Sequence, residues 1–142
     1  MTIKKYLSTI IDITIFLLFL TSLALILTGN LMLAVVEGTS MEPLLQTGDI
    51  VIVTKVNIKD IKPGDVIVYE KYRGTYVIHR VMEVKVSNGR VIIITKGDNN
   101  SYYDPPITSE KIIGKVLAIG DAIVKIPALG FISLWFKSIL IH

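Results

Sequence analysis

The stretch Gly38-Thr39-Ser40-Met41-Glu42-Pro43-Leu44-Leu45-Gln46-Thr47-Gly48-Asp49-Ile50-Val51-Ile52-Val53 divides this chain of 142 residues into two kinds of sequence. Before it lies a long apolar run. Within it come a small flexible segment carrying a hydroxyl (Gly38, Thr39, Ser40), a turn marked by Pro43, and then an apolar strand. After it, the chain reads as short strands separated by Gly and Pro turns, the pattern of a compact antiparallel sheet or small barrel.

Upstream, residues 13–36 contain 24 residues without one charged side chain. As a helix that segment would be roughly 36 Å long, enough to cross a hydrocarbon core of about 30 Å with some tilt. A buried core helix is the competing reading, but a domain of about a hundred residues can hardly wrap such a helix on every side. A cleaved signal peptide would have a shorter apolar run and a small-x-small site, and Leu33-Ala34-Val35-Val36 offers no clear one. The segment therefore reads as an uncleaved transmembrane anchor. Lys4 and Lys5 place residues 1–12 in the cytoplasm and residues 37 onward on the other side.

Composition narrows the function classes. The net charge is +3, yet between Glu37 and Ile126 twelve Lys or Arg are set against eleven Asp or Glu. No basic stripe interleaved with aromatics stands out, so nucleic acid is not an expected partner. There is no cysteine. That excludes disulfides, thiolate catalysis and cysteine-ligated zinc. The two histidines, His79 and His142, are too far apart to form a ligand motif, and neither metal nor cofactor is implied.

Downstream, strands are expected at Ile50–Lys55, Val66–Tyr72, Thr75–Val86, Arg90–Lys96, Lys111–Ile119 and Asp121–Ile126. Lys62-Pro63-Gly64-Asp65 and Arg73-Gly74 read as turns, and Ser87-Asn88-Gly89 as a tight hairpin. Residues 97–106 form a polar loop. The tail, residues 127–142, is apolar around Trp135 with one charge, Lys137. It suits either a membrane interface or a terminal element packed on the sheet.

A serine hydroxyl is a poor nucleophile until a base takes its proton. His142 is the last residue, which leaves His79 as the candidate base. Alternation along its strand puts Tyr76, Ile78, Met82 and Val84 on the more apolar face, and His79 with Thr75, Val77, Val81 and Glu83 on the other. A half-exposed strand histidine without a role fits that placement equally well. A serine–histidine pair gains from a carboxylate that fixes the ring tautomer and stabilises the imidazolium. The polar loop offers two, Asp98 and Asp104. Asp98 also fits a turn aspartate bonded to its own backbone, and Asp104, ahead of Pro105 and Pro106, a solvated loop charge.

Together, Ser40-Met41 after a membrane anchor, Gly64-Asp65-Val66, His79-Arg80 and Gly97-Asp98-Asn99 with Asp104 beyond resemble type I signal peptidase, in its archaeal and endoplasmic-reticulum branch. The likeness runs from the anchor to about Ile113. The bacterial branch pairs its serine with a lysine, and His79 stands where that lysine is expected. The resemblance implies a mainly β catalytic core, residues 37–126, on the extracytoplasmic face of the cell membrane. It implies Ser40 as nucleophile, His79 as base, Asp104 as the triad acid and Asp98 as a supporting acid that organises the loop. It implies no cofactor. As partners it implies the signal peptides of preproteins, cut after small residues, together with the lipid bilayer and the translocation machinery. Two other readings of the residues are a membrane-anchored β-domain that binds without catalysis, and a related regulatory or self-cleaving serine protease.

Overall fold

The structure, a computed structural model, describes residues 2–87 and 89–140, without the side chains of Thr2, Ser138, Ile139 and Leu140. Asn88 of the expected hairpin turn and the histidine His142 lie outside the described residues. The chain divides into two units, residues 1–32 and 33–142.

The first unit is helix α1, Thr2–Leu27, long and apolar enough to cross a membrane and with none of its apolar span buried. Several hydroxyls of the helix and its end are satisfied from within. The hydroxyls of Thr9, Thr14, Ser22 and Thr28 donate to the carbonyls of Lys5, Ile10, Leu18 and Ala24, each four residues back. That lets hydroxyl residues sit in an apolar helix without a partner from outside it. The helix does not cover residues 13–36 as expected. It starts at Thr2, taking in most of the segment assigned to a cytoplasmic terminus, and it stops nine residues early. Gly29, at φ +68°, donates to Ile26 O at 3.0 Å, and Asn30 donates to Leu25 O at 3.1 Å. This is the Schellman arrangement, which needs a residue free to adopt positive φ. Gly29 and Asn30 carry no charge, so hydropathy alone runs straight past them.

The second unit is built on one large sheet, with a separate two-stranded sheet late in the chain. Strands β1 (Leu31–Val35), β2 (Ile50–Thr54), β3 (Val66–Tyr72), β4 (Thr75–Ser87), β5 (Arg90–Lys96), β6 (Ile107–Thr108) and β7 (Ile112–Val116) lie in the order β1-β2-β7-β3-β4-β5-β6. The pairings of β2 with β7, β7 with β3, β3 with β4, β4 with β5 and β5 with β6 are all antiparallel. The segment expected as one strand, Lys111–Ile119, is a 3-10 turn at Ser109–Lys111, then β7, then β8 (Ala118–Ile119). The expected strand Asp121–Ile126 is two short ones: β9 (Ala122–Ile123), which pairs with β8 around Gly120, and β10 (Lys125–Ile126), which pairs with β2. The tail forms helix α2, Phe131–Leu140.

A core of Ile61, Ile67, Tyr69, Val81, Ile93 and Ile107 forms on one face, with Val77 and Val84 packed against it. Here the simple alternation along β4 fails. Val81 is opposite Thr95 and Glu83 is opposite Ile94, so Met82 is an extra residue in a β-bulge. The bulge moves Val84 onto the same side as Val77 and Val81. His79, on the side of Val77 and Val81 ahead of the bulge, faces the core rather than away from the apolar face, while Tyr76 and Met82 are exposed.

Two contacts tie the later elements to the segment after β1. Gly48, at φ +90°, lies so close to α2 that a Cβ there would sit 2.6 Å from the Phe131 ring, and Gly130 donates to Gly48 O at 2.8 Å. Beside it, buried Asp49 accepts from Lys125 Nζ at 2.6 Å and from Gln46 N at 3.0 Å, and from Ala128 N at 3.4 Å. Burial works against the charged form, but these donors outweigh it and hold the Asp49 carboxyl below its ordinary value.

Gly48→Ala is expected to lower stability by roughly 1–3 kcal/mol in urea unfolding, through positive φ and the ring contact together. Phe131→Ala in that background should recover the steric part. Because the folded carboxyl of Asp49 is depressed, its stabilisation is complete above the ordinary value of 3.8 and drains away as pH falls below that, through the folded value. Asp49→Asn should therefore flatten the acid limb of a stability-against-pH curve. An unchanged limb would show that Asp49 does not supply it.

Candidate active site

Ser40 is placed by what surrounds it in the chain. Met41 and Leu45 are buried and Leu45 N donates to Met41 O at 2.9 Å, so the turn after β1 is pinned from below. Thr47 Oγ1 accepts from Gly38 N and donates to Gly38 O, both at 3.0 Å, which closes the base of the turn. Ser40 is left half-buried between these anchors.

The polar loop after β5 grips the same segment. Asn99 N donates to Ser40 O at 2.8 Å, and Asn99 Nδ2 donates to Thr39 O at 3.2 Å. A Cβ at Gly97 would lie 2.6 Å from Ser40 O, so any side chain there would push the loop off. Asp98 faces the other way. Arg80 Nε and Nη2 donate to its two oxygens at 2.8 and 2.7 Å, and Arg80 Nη1 donates to Gly64 O at 2.9 Å. The Asp98 carboxylate pushes the Arg80 guanidinium pKa above its ordinary value. One fork thus joins β4, the polar loop and the Lys62–Asp65 turn, and a planar bidentate pair fixes orientation as well as charge.

His79 stands mid-strand in β4, opposite Ile67 of β3, with only 6% of its surface exposed. Its Nε2 lies 3.0 Å from Ser40 Oγ. Its Nδ1 lies 2.5 Å from Asp104 Oδ2. A carboxylate at Nδ1 requires the proton on that nitrogen, which leaves Nε2 free to accept from the serine hydroxyl. Asp104, 7% exposed, is held in turn by Thr95, whose Oγ1 donates to Oδ2 at 2.7 Å. The Tyr69 ring meets the imidazole edge-on at 6.4 Å between centroids.

Of the four candidates, the structure brings Ser40, His79 and Asp104 into one hydrogen-bonded line. Asp98 stays outside it and pairs with Arg80. Strand alternation did not single out Arg80, Thr95 or Tyr69. A signal for Thr95 was present: it is a hydroxyl residue on the same strand face as buried Ile93. The line can move a proton from a hydroxyl onto an imidazole and hold the resulting cation next to a carboxylate, while little water reaches either.

Comparison with known proteins identifies the family. The Peptidase S24-like family model matches residues 17–117. The signal peptidase complex catalytic subunit SEC11 of Lachancea thermotolerans is 32% identical over 126 residues, covering 84% of this chain and 74% of that protein. The SEC11 subunit of Scheffersomyces stipitis is 31% identical over 117 residues, covering 80% and 70%. Signal peptidase I W of Bacillus subtilis is 33% identical over 86 residues, covering 59% and 45%. The yeast relatives support the eukaryotic side of the expected resemblance, and its archaeal side is not supported. The chain belongs to the S24-like peptidase family, in the SEC11-like branch of the type I signal peptidases.

Proposed function

We propose that the chain is a membrane-anchored serine endopeptidase that removes signal peptides from preproteins through an acyl-enzyme. The observation that carries this reading is the continuous contact from Ser40 Oγ through the His79 ring to Asp104. His79 Nε2 takes the hydroxyl proton as Ser40 Oγ attacks the scissile carbonyl carbon. The ring then returns the proton to the leaving amine, which departs as the acyl-serine forms. Water, deprotonated by the same nitrogen, attacks the ester and releases Ser40. Asp104 holds the imidazolium in each half-reaction. The backbone N–H of Ser40 is the proposed donor to the oxyanion.

Asp98 supports this by holding the loop. It pairs with Arg80, and the adjacent Asn99 fixes the Ser40 carbonyl. Helix α1 gives the anchor a purpose, because confining enzyme and substrate to one bilayer surface raises their effective concentration. We place the N-terminus, with Lys4 and Lys5, in the cytoplasm and the sheet domain on the extracytoplasmic face of the cell membrane. Cleavage after small residues, association with the translocation machinery and seating of the apolar α2 tail at the interface belong to the same reading.

The test is cleavage of a membrane-inserted precursor by the full chain. Ser40→Ala should leave no cleavage above background, and retained cutting would remove Ser40 as nucleophile. Asp104→Asn should lower kcat by roughly 10⁴-fold, through loss of the correct tautomer. Asp98→Asn should cost less than Asp104→Asn, because it weakens a support and leaves the proton path whole. The reverse order would exchange the two acids' roles.

A further inference from the structure

We propose that Thr95, backed by Tyr69, is a positioning residue of this reaction: it sets the Asp104 carboxylate against the His79 ring. The inference rests on the peptidase reading above and concerns residues that act only through Asp104.

Asp104 sits in a loop, where a carboxylate on two rotatable bonds would turn freely. Thr95 removes that freedom at two points. Its carbonyl accepts from Asp104 N at 2.8 Å, which fixes the backbone. Its Oγ1 donates to Asp104 Oδ2 at 2.7 Å, which fixes the carboxylate plane. That oxygen is the same one His79 Nδ1 meets at 2.5 Å. The hydroxyl therefore selects which oxygen faces the ring and from which direction.

The strand register makes this possible. Thr95 of β5 lies opposite Val81, two residues beyond His79 on β4. Tyr69 of β3 lies opposite Val77, two residues before it. Both side chains therefore stand on the face that carries His79, one from each flanking strand. Thr95 has no exposed surface and Tyr69 has 1%. With no water at hand, the Thr95 hydroxyl has to use a protein acceptor. The Tyr69 phenol interacts with Thr95 and with Asp104, and burial first, with the Asp104 charge adding to it, pushes its pKa up to about 12. It stays protonated throughout the working range.

A buried threonine can also be a packing residue that satisfies its hydroxyl wherever it can. The two roles separate in kinetics. Thr95→Val keeps the shape and removes the donor, and Thr95→Ser keeps the donor and removes a methyl. Cleavage of a signal-peptide-bearing precursor by the full chain in lipid–detergent micelles is measured alongside thermal unfolding. Positioning predicts that Thr95→Val loses roughly 10- to 100-fold in kcat with KM within twofold, and that Thr95→Ser restores most of the rate. It also predicts that the His79 Nδ1–H proton resonance moves in Thr95→Val and stays in place in Thr95→Ser.

Tyr69→Phe, which keeps the ring, carries the test if Thr95→Val does not fold. It should lower kcat several-fold with KM unchanged and move the same resonance. An unchanged kcat and resonance would overturn the inference and leave the peptidase reading standing. So would losses in both Thr95 variants that simply follow the unfolding temperature. A wild-type chain that does not cut the precursor would remove the peptidase reading, and the inference with it.

Discussion

The hydrogen bond from Asn99 N–H to the Ser40 carbonyl joins the two halves of the site. Ser40 belongs to the turn after β1, at one end of the strand order, while His79 and Asp104 belong to the β4–β5–β6 end. Nothing local keeps a serine on one segment within reach of a histidine on another. The polar loop does: Asn99 gives its backbone N–H to the Ser40 carbonyl and its side-chain amide to the Thr39 carbonyl. That in turn depends on Gly97, where a side chain would meet the Ser40 carbonyl, and on the Arg80–Asp98 fork that holds the loop from behind. The Gly-Asp-Asn sequence is thus three separate devices: a close approach, an ionic brace and a backbone donor.

The charged groups of this sheet differ in how they are used. Asp49–Lys125 is an ion pair with further donors on the carboxylate, so the cost of removing it from water is offset by several hydrogen bonds. Its work is architectural: it fastens β10 and the approach to α2 onto the segment that follows Ser40. Arg80–Asp98, partly open to solvent, sets orientation through its planar fork. Lys85–Glu83 and Lys137–Glu37 are exposed, where solvent screens most of the attraction. The His79–Asp104 contact is the most enclosed of these and the one from which water is best excluded.

Much of this was legible in the sequence, for reasons that differ by element. β3, β4 and β5 begin and end within a residue or two of where their turn residues put them, because their hairpins are local. Ser40, His79 and Asp104 could be named as chemistry, but their meeting depends on sheet order, which no local pattern encodes. The helix end was misread because Gly29 and Asn30 are polar without charge. Which face of β4 is the core face is not evident from composition: Val77 and Val81 share the His79 side, but Val84 joins them only through a bulge at Met82, and nothing in Val81-Met82-Glu83 announces an extra residue. The break-up of residues 111–126 escaped because its strands are two to five residues long, too short for periodicity to act on.

The bulge also separates two regions of one hairpin. On the near side, the β4–β5 ladder holds Arg80 and Thr95 in register, and the β3–β4 ladder holds His79. On the far side, from Glu83 to Ile94, it carries none of the groups that touch Ser40 or Asp104, and its outer residues Lys85 and Val86 are open to solvent. Length changes at the far tip leave the near register alone, whereas one residue added between His79 and Val81 would turn the imidazole out of the site. The arm beyond Met82 is therefore where this domain can accept a grafted epitope, or where related chains can diverge in length, without disturbing the chemistry at its root.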